Sequence, residues 1–369
     1  MKSNLTSLEI HYLVKELQFL IDSKVDNVYN PKKEELILQL HISNKAKQLL
    51  RIISGKLFYL ASIKEPAQEP SQFCMFLRKH LDNSRLKSIN QLGSERIVEF
   101  IFDKEEKVKL IVEFFGKGNI LLCDKDGLIL SALVYQSWKD REIRPRIKYE
   151  YPKTNYNIFN LNLEDLKELF LKSEKMLVIC LATELGLGGS YSEEVCLSAN
   201  IDKNTGTKEI SEKDVKKILG IIKGLITAKP QPSIIYQNNE VKDITPFELK
   251  IYNNLEKKEF KSYNESIDYY FLNDFKEEKP KTKQEKEIEK LKRIMLQQEQ
   301  TIKELETKEL DQRKKADLIY QNYKLIDEIL AELKKATQKY SWKEIEEKLK
   351  GHKIIKSLNP KDKTIEIEI

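Results

Sequence analysis

The chain has 369 residues, 40% of them hydrophobic, enough to bury real cores and to make roughly two to four domains. Lysine and arginine number 65 against 59 acidic residues, a net charge of +6, so a cationic surface has to come from local clustering and not from bulk charge. No stretch approaches the roughly 20 apolar residues that span a bilayer, and the cysteines Cys74, Cys123, Cys180 and Cys196 form no CxxC, so neither a membrane span, a zinc site nor a disulfide framework is expected.

The first element in chain order is an amphipathic helix. Thr6 or Ser7 caps it, and Leu13, Val14, Leu17, Leu20 and Ile21 share one face. Met1 to Ser7 is mostly polar, so no secretion signal is expected and the protein is placed in the cytoplasm with reduced, buried thiols. Short strands follow at Leu36–Ile42, Leu49–Ile53 and Leu57–Ala61, the last two about the turn Ser54-Gly55-Lys56. Ser71 caps a second helix, Gln72–Leu81. A second meander runs through Ile97–Phe102, Val108–Phe115, Ile120–Cys123 and Leu128–Val134, with polar turns between them. Residues 1–160 therefore read as an α+β domain with an antiparallel sheet.

From Leu163 to Ile226 the periodicity changes to short helices, giving a domain of residues 161–228. Residues 229–275, broken by Pro230, Pro232 and Pro246, read as a mixed segment returning onto the first domain. A charged hinge, Glu277–Thr282, then leads into the longest pattern. From Ile288 to Leu333 one heptad register holds without Gly or Pro, its a and d positions apolar except Gln298, Glu309 and Gln312. Residues 276–337 thus read as an unbroken coiled-coil arm, whose heptad stretch Ile288–Leu333 is on the order of 70 Å long at 1.5 Å per residue. Its unpaired seam is also a surface for self-association. Residues 338–369 open a small tip domain, with a helix at Trp342–Leu349, a break at Gly351 and strand-like alternation over Thr364–Ile369. The arm has no returning helix and the last strand runs to the terminus, so a longer parent protein is expected.

Four motifs carry chemistry, each with a plainer structural reading beside it. Leu185-Gly186-Leu187-Gly188, followed by Gly189, fits a helix-hairpin-helix, in which glycines let the backbone approach a phosphate and the next helix's amides face the anion; a plain turn between helices fits as well. Met75-Phe76-Leu77-Arg78-Lys79-His80 presents Arg78 and Lys79 either to a polyanion or only to solvent. In Glu95-Arg96 a carboxylate can fix a guanidinium for a base or phosphate, or the two form a surface ion pair worth about 0–1 kcal/mol. Arg141, Arg144, Arg146 and Lys148, near Trp138, Tyr149 and Tyr151, suit single-stranded or loop RNA, with strand alternation putting Arg144, Arg146 and Lys148 on one face; an edge strand guarded by charge and Pro145 is the alternative. There is no Walker loop, GxSxG or HExxH, and His11, His41, His80 and His352 are scattered, so no enzyme, cofactor or metal site is expected.

Taken in order, these segments resemble one family. The helix "Met75-Phe76-Leu77-Arg78-Lys79-His80-Leu81" precedes "Glu95-Arg96-Ile97-Val98-Glu99-Phe100" and "Gly118-Asn119-Ile120-Leu121-Leu122-Cys123-Asp124". Then come the hairpin "Leu185-Gly186-Leu187-Gly188-Gly189", "Asn264-Glu265-Ser266-Ile267-Asp268-Tyr269-Tyr270", and "Ile319-Tyr320-Gln321-Asn322-Tyr323" in the heptad region. This order resembles the NFACT family of ribosome-associated quality-control factors, some once named fibronectin-binding.

The resemblance implies an N-terminal domain similar to the N-lobe of formamidopyrimidine-DNA glycosylases, then a helix-hairpin-helix domain and a coiled-coil arm with a small tip. It implies binding to large ribosomal subunits obstructed by peptidyl-tRNA, recruitment of tRNA (alanine tRNA is the prokaryotic expectation), and support of template-free C-terminal tailing of the stalled chain. The family's Asp-Arg pair falls on Glu95 and Arg96, the acid here one methylene longer. The implied tRNA surface is Glu95, Arg96, Arg78, Lys79, Arg144 and Arg146, with Gly186, Gly188 and Gly189 as the phosphate hairpin and Ile319, Tyr320, Asn322 and Tyr323 as the ribosome-contacting part of the arm. Two departures follow. Lys2 and Ser3 stand where the glycosylases carry a proline nucleophile, so base excision is not expected, and the family's returning helix and C-terminal domain lie beyond Ile369. A surface adhesin for matrix protein and a glycosylase-like DNA-binding protein without catalysis are the competing readings.

Overall fold

Helix α1 (Ser7–Glu16) starts where its cap requires. Thr6 Oγ1 accepts the Glu9 N–H at 3.4 Å and the Glu9 carboxylate accepts the Thr6 N–H at 2.8 Å, a reciprocal capping box. The structure is a computed structural model and describes residues 4–43, 46–64, 69–137, 141–152, 156–274, 283–349, 354–359 and 364–367. It divides into two units, Met1–Lys276 and Glu277–Ile369.

Beyond α1 the first unit is built on one nine-stranded antiparallel sheet, in the order β4-β3-β2-β1-β5-β6-β7-β8-β9. The first meander is β1 (Lys24–Tyr29), β2 (Glu35–His41), β3 (Gln48–Ile53) and β4 (Leu57–Ala61). Helix α2 (Gln72–Leu81), capped by Ser71, crosses to the second meander. That meander is β5 (Arg85–Gln91), β6 (Ile97–Asp103), β7 (Lys107–Glu113), β8 (Asn119–Asp124) and β9 (Ile129–Ala132). A two-residue ladder, β10 (Gln136–Ser137) with β11 (Glu142–Ile143), follows.

The central strands are covered on both faces, which is why β8 reads as a continuous apolar run. Ile120 and Leu122 enter the large core with α1 and α2, while Leu121 and Cys123 join Ile97, Ile111, Ile143 and Tyr149 on the other face. Strands β1 and β5 escape a hydrophobicity search for a physical reason. Each buries little, and each carries a register shift, between Val25 and Asn27 and between Leu86 and Ser88, that breaks the two-residue alternation.

The segment expected to alternate as a strand through Arg144, Arg146 and Lys148 does not. Ile147 donates to the Arg144 carbonyl across a turn, Arg146 has φ +68°, and only Lys148 makes a bridge, to Leu128. Pro145, with no N–H to give a ladder, sits at the centre of that turn.

Four helices then pack into a second core: α3 (Leu163–Lys172), α4 (Leu177–Thr183), α5 (Gly189–Ala199) and α6 (Glu212–Ile226). Leu8 and Tyr12 of α1 enter this core while Ile10, Leu13 and Val14 enter the sheet core, so one helix serves both. The chain returns through the sheet β13-β12-β14, made of β12 (Ser233–Gln237), β13 (Glu240–Thr245) and β14 (Glu256–Glu259), and helix α7 (Tyr263–Tyr269). Tyr263, Ile267 and Tyr270 lie in the sheet core. All four cysteines are buried and free.

The second unit is mostly helical. The heptad segment is not one unbroken helix, as its pattern leads one to expect. Helix α8 (Lys283–Gln321) ends at Asn322, where φ is −111°, and α9 (Tyr323–Ala336) restarts. The Asn322 amide donates to the Leu318 carbonyl at 3.0 Å, the local competition with the helix ladder that disfavours Asn inside helices. The a and d side chains Leu291, Ile302, Leu305, Ile319 and Tyr323 are all more than half exposed. Helix α10 (Trp342–Leu349) and a hairpin of β15 (Ile355–Asn359) with β16 (Thr364–Ile367) complete the unit. No helix among the described residues is long and apolar enough to cross a membrane.

Candidate functional site

Arg96 is held at the entrance to β6 by the tight connection from β5. Leu92 donates to the Ile97 carbonyl at 3.1 Å and Glu95 to the Leu92 carbonyl at 2.9 Å, while the Phe114 N–H pins the Arg96 carbonyl at 2.8 Å. The guanidinium is half-buried. Among the described residues no hydrogen bond or ion pair engages it, and burial pulls its pKa below the usual value while the Glu95 carboxylate opposes the shift. Glu95 therefore acts on Arg96 through its field and not as the hydrogen-bonded brace that the adjacent pair suggests. A guanidinium keeps its proton in any protein setting, so Arg96 is a partly desolvated cation without a bonded partner among the described residues.

The glycine hairpin joins α4 to α5. Leu185 and Leu187 plug into the helical core, which leaves Gly186 and Gly188 on the outside, at φ +70° and +81°. Gly188 is the N-cap of α5 and supplies no side chain to the helix's first amides, which Gly189 and Ser190 carry. Its missing Cβ matters, because one built there would stand 2.8 Å from the Thr6 methyl group. The start of α5 is thereby seated against the start of α1.

These two pieces, far apart in sequence, line one cleft of about 520 Å³, together with Thr6, Ser94, Glu95, Phe115, Tyr156, Ala182, Thr183 and Glu184. A cation on one side and a glycine-exposed helix N-terminus on the other suit an anion such as a phosphate group. Phe115 and Tyr156 give the cleft aromatic surface and Thr6, Thr183 and Ser94 give it hydroxyls. A second groove of about 570 Å³, lined by Glu113, Phe115, Gly116, Lys117, Gly118, Gln136 and Ser137, shares Phe115 with the first. Thr6 reads in the sequence only as a cap and Phe115 only as a strand end; Tyr156 and Thr183 carry no signal at all.

The other expected residues go elsewhere. Arg78 does not line the cleft: its Nε donates to the Val28 carbonyl at 2.7 Å and its guanidinium lies 5.8 Å from the Tyr29 ring, so it ties α2 to β1. Lys79 is exposed on the same helix. Arg144 pairs with Glu142, and Arg146 is exposed on its turn. Arg141, next in that basic run, is a core element: it pairs with buried Glu113, which also accepts from Tyr149 at 2.7 Å. Trp138 lies outside the described residues. Gly189 opens α5 just behind the cleft lining, and Ile319, Tyr320, Asn322 and Tyr323 belong to the second unit, Tyr320 being 80% exposed. Among the described residues no group of three His, Cys, Asp or Glu could hold a metal.

The sequence profile described as NFACT N-terminal and middle domains matches residues 6–366. The chain belongs to the NFACT family. It is 34% identical to the archaeal Rqc2 homolog aRqcH of Methanocaldococcus jannaschii over 372 residues, covering 96% of this chain and 55% of that protein. It is 26% identical to the human ribosome quality control complex subunit NEMF over 380 residues, covering 94% of this chain and 35% of that protein. The chain thus spans about half, or less, of the length of these curated NFACT relatives. Among solved structures, the fibrinogen binding protein of Staphylococcus aureus superposes with a TM-score of 0.61 at 18% identity, covering 72% of this chain and 98% of that one. The N-terminal part of the fibronectin/fibrinogen-binding protein of Streptococcus suis gives 0.58 at 22%, covering 73% and 100%. At those identities the two structures establish a shared fold and nothing about a ligand.

Proposed function

We propose that this NFACT chain is the RNA-gripping part of a ribosome-associated quality-control factor. In this reading the Arg96 cleft holds the phosphate backbone of tRNA, with Phe115 and Tyr156 available to unstacked loop bases. The α4–α5 hairpin acts as a helix-hairpin-helix. Helices α8 and α9 form one side of a coiled-coil arm that reaches the obstructed large ribosomal subunit, with Ile319, Tyr320 and Tyr323 at its contact. The factor positions aminoacyl-tRNA for template-free, alanine-type tailing, and the ribosome, not this chain, forms the peptide bond. The names of the aRqcH and NEMF relatives support the ribosomal setting, and the cytoplasm is its natural compartment.

The observation that carries the reading is the meeting of Arg96 and the glycine hairpin in one cleft, with no hydrogen-bond acceptor on the guanidinium among the described residues. Crosslinking in cells, followed by sequencing of the bound RNA, tests it. tRNA should dominate the reads, and Arg96→Ala should remove it while Arg144→Ala, altering an exposed pair on a turn, should not. An RNA profile unchanged by Arg96→Ala, or no RNA at all, would overturn the assignment.

A further inference from the structure

The cleft's two sides both hang on the first turn of α1. On the hairpin side the link is Glu9, which is fully buried. One of its carboxylate oxygens accepts the Thr6 N–H at 2.8 Å, and the other accepts the Tyr191 hydroxyl at 2.9 Å. Tyr191 is the third residue of α5 and is itself fully buried. A single carboxylate therefore caps α1 and anchors α5. On the arginine side the link is Gln91, the last residue of β5. Its Nε2 donates to the Ser7 carbonyl at 2.9 Å and to the Glu95 carbonyl at 3.0 Å, with the Ser7 hydroxyl 3.1 Å away. A hydroxyl near the hairpin is fixed as well: Ser190 and Tyr252 both donate to the buried carboxylate of Asp243, at 2.9 and 2.8 Å.

The chain Tyr191–Glu9–Thr6/Ser7–Gln91–Glu95 runs from one side of the cleft to the other through side chains that are buried or half-buried, so the span between Arg96 and Gly188 is set by hydrogen bonds of fixed length. We infer that Glu9, Tyr191 and Gln91 are positioning residues that hold the Arg96 guanidinium and the glycine hairpin at the separation an anionic ligand must bridge. None of the three lines the cleft. This inference rests on the reading of the cleft as an RNA-phosphate site. Its chemical logic is that two fixed donors gain over two mobile ones only when their spacing matches the ligand, so loosening one strut weakens binding without removing any contact group.

The test is a double-mutant cycle on the full chain, with unfractionated tRNA as the probe and affinity measured at one salt concentration. Tyr191→Phe removes only the hydroxyl that Glu9 accepts and keeps the ring in the core. Gln91→Met removes the Nε2 donor and is read in parallel, so the test survives if either variant fails to fold; circular dichroism melts identify the folded ones. Each should weaken tRNA binding about tenfold, equal to ~1.4 kcal/mol. In an Arg96→Ala background the same changes should do nothing further, because there is no cation left to position. A merely structural role would give the same loss in both backgrounds, and that additive result would overturn the inference. So would unchanged affinity in folded Tyr191→Phe and Gln91→Met alongside a large loss in Arg96→Ala, which would leave the RNA reading standing. No loss in Arg96→Ala would overturn the RNA reading itself, and this inference with it.

Discussion

Thr6 and Gly188 share a space that only one of them can fill: the Thr6 methyl stands 2.8 Å from where a Cβ on residue 188 would sit. The contact fixes the start of α1 against the start of α5, and with it the geometry of the cleft. Gly188→Ala meets both this overlap and a left-handed backbone at φ +81°. The expected loss is on the order of 1–3 kcal/mol, read as a lower urea midpoint. Thr6→Ser, which removes the methyl and keeps the capping hydroxyl, should recover part of that loss in the double variant. Full independence of the two substitutions would show that the packing is not as described.

The basic run after β10 separates into unlike parts. Arg141 pairs with Glu113, whose side chain is 3% exposed, and its guanidinium lies 5.1 Å from the Tyr149 ring. Arg144 pairs with Glu142 but is 60% exposed. Arg141→Met leaves a buried carboxylate with, among the described residues, only Tyr149 to compensate it, so it should destabilise the fold by about 3–5 kcal/mol. Arg144→Ala should change it by about 1 kcal/mol or less. Equal urea midpoints for the two variants would contradict the placement of Glu113.

His11 makes stability fall in acid. Burial, then the charge of Lys15, lower its pKa from 6.5 to about 4, and its ring stacks on Phe159 at 4.4 Å. Between about pH 4 and 6.5 the unfolded chain takes up this proton and the folded chain does not, so stability contributed by neutral His11 is lost as pH falls through that window. Glu16, whose carboxyl is raised by burial, has the opposite slope but is common to both proteins compared. The urea midpoint of the native protein should therefore fall more between neutral pH and about pH 5 than that of His11→Phe, the less acid-sensitive of the two. Parallel pH profiles would remove His11 from the account.

Asn322 interrupts the heptad segment. Replacing it by Ala removes the amide that competes for the Leu318 carbonyl and improves intrinsic propensity by roughly 0.5 kcal/mol. Helicity by circular dichroism should rise in Asn322→Ala, and the second unit should melt higher. An unchanged spectrum would place the break in the backbone and not in that side chain.

Sequence and structure agree best where burial is one-sided or complete. Strands β3 and β4 are legible as apolar runs on either side of the turn Ser54-Gly55-Lys56, and helix α2 is legible from its Ser71 cap. β1 and β5 are not legible, since two buried residues and a bulge leave no period to detect. Arg96 and the glycine hairpin are each visible as motifs. Their meeting is not, because it depends on α1 contributing to both cores and on a missing Cβ at Gly188. Arg78 misleads for a related reason: an arginine on a helix looks solvated until a carbonyl from a neighbouring strand, here Val28, reaches its Nε.

The central claim is that Arg96 and the hairpin grip RNA phosphate, and the salt dependence of tRNA affinity tests it most directly. For the native chain the logarithm of affinity should fall steeply and linearly with the logarithm of salt concentration. Arg96→Ala should bind about tenfold or more weakly and show a slope shallower by about one, with an unchanged melting curve. A folded Arg96→Ala protein with the affinity and slope of the native chain would contradict the account.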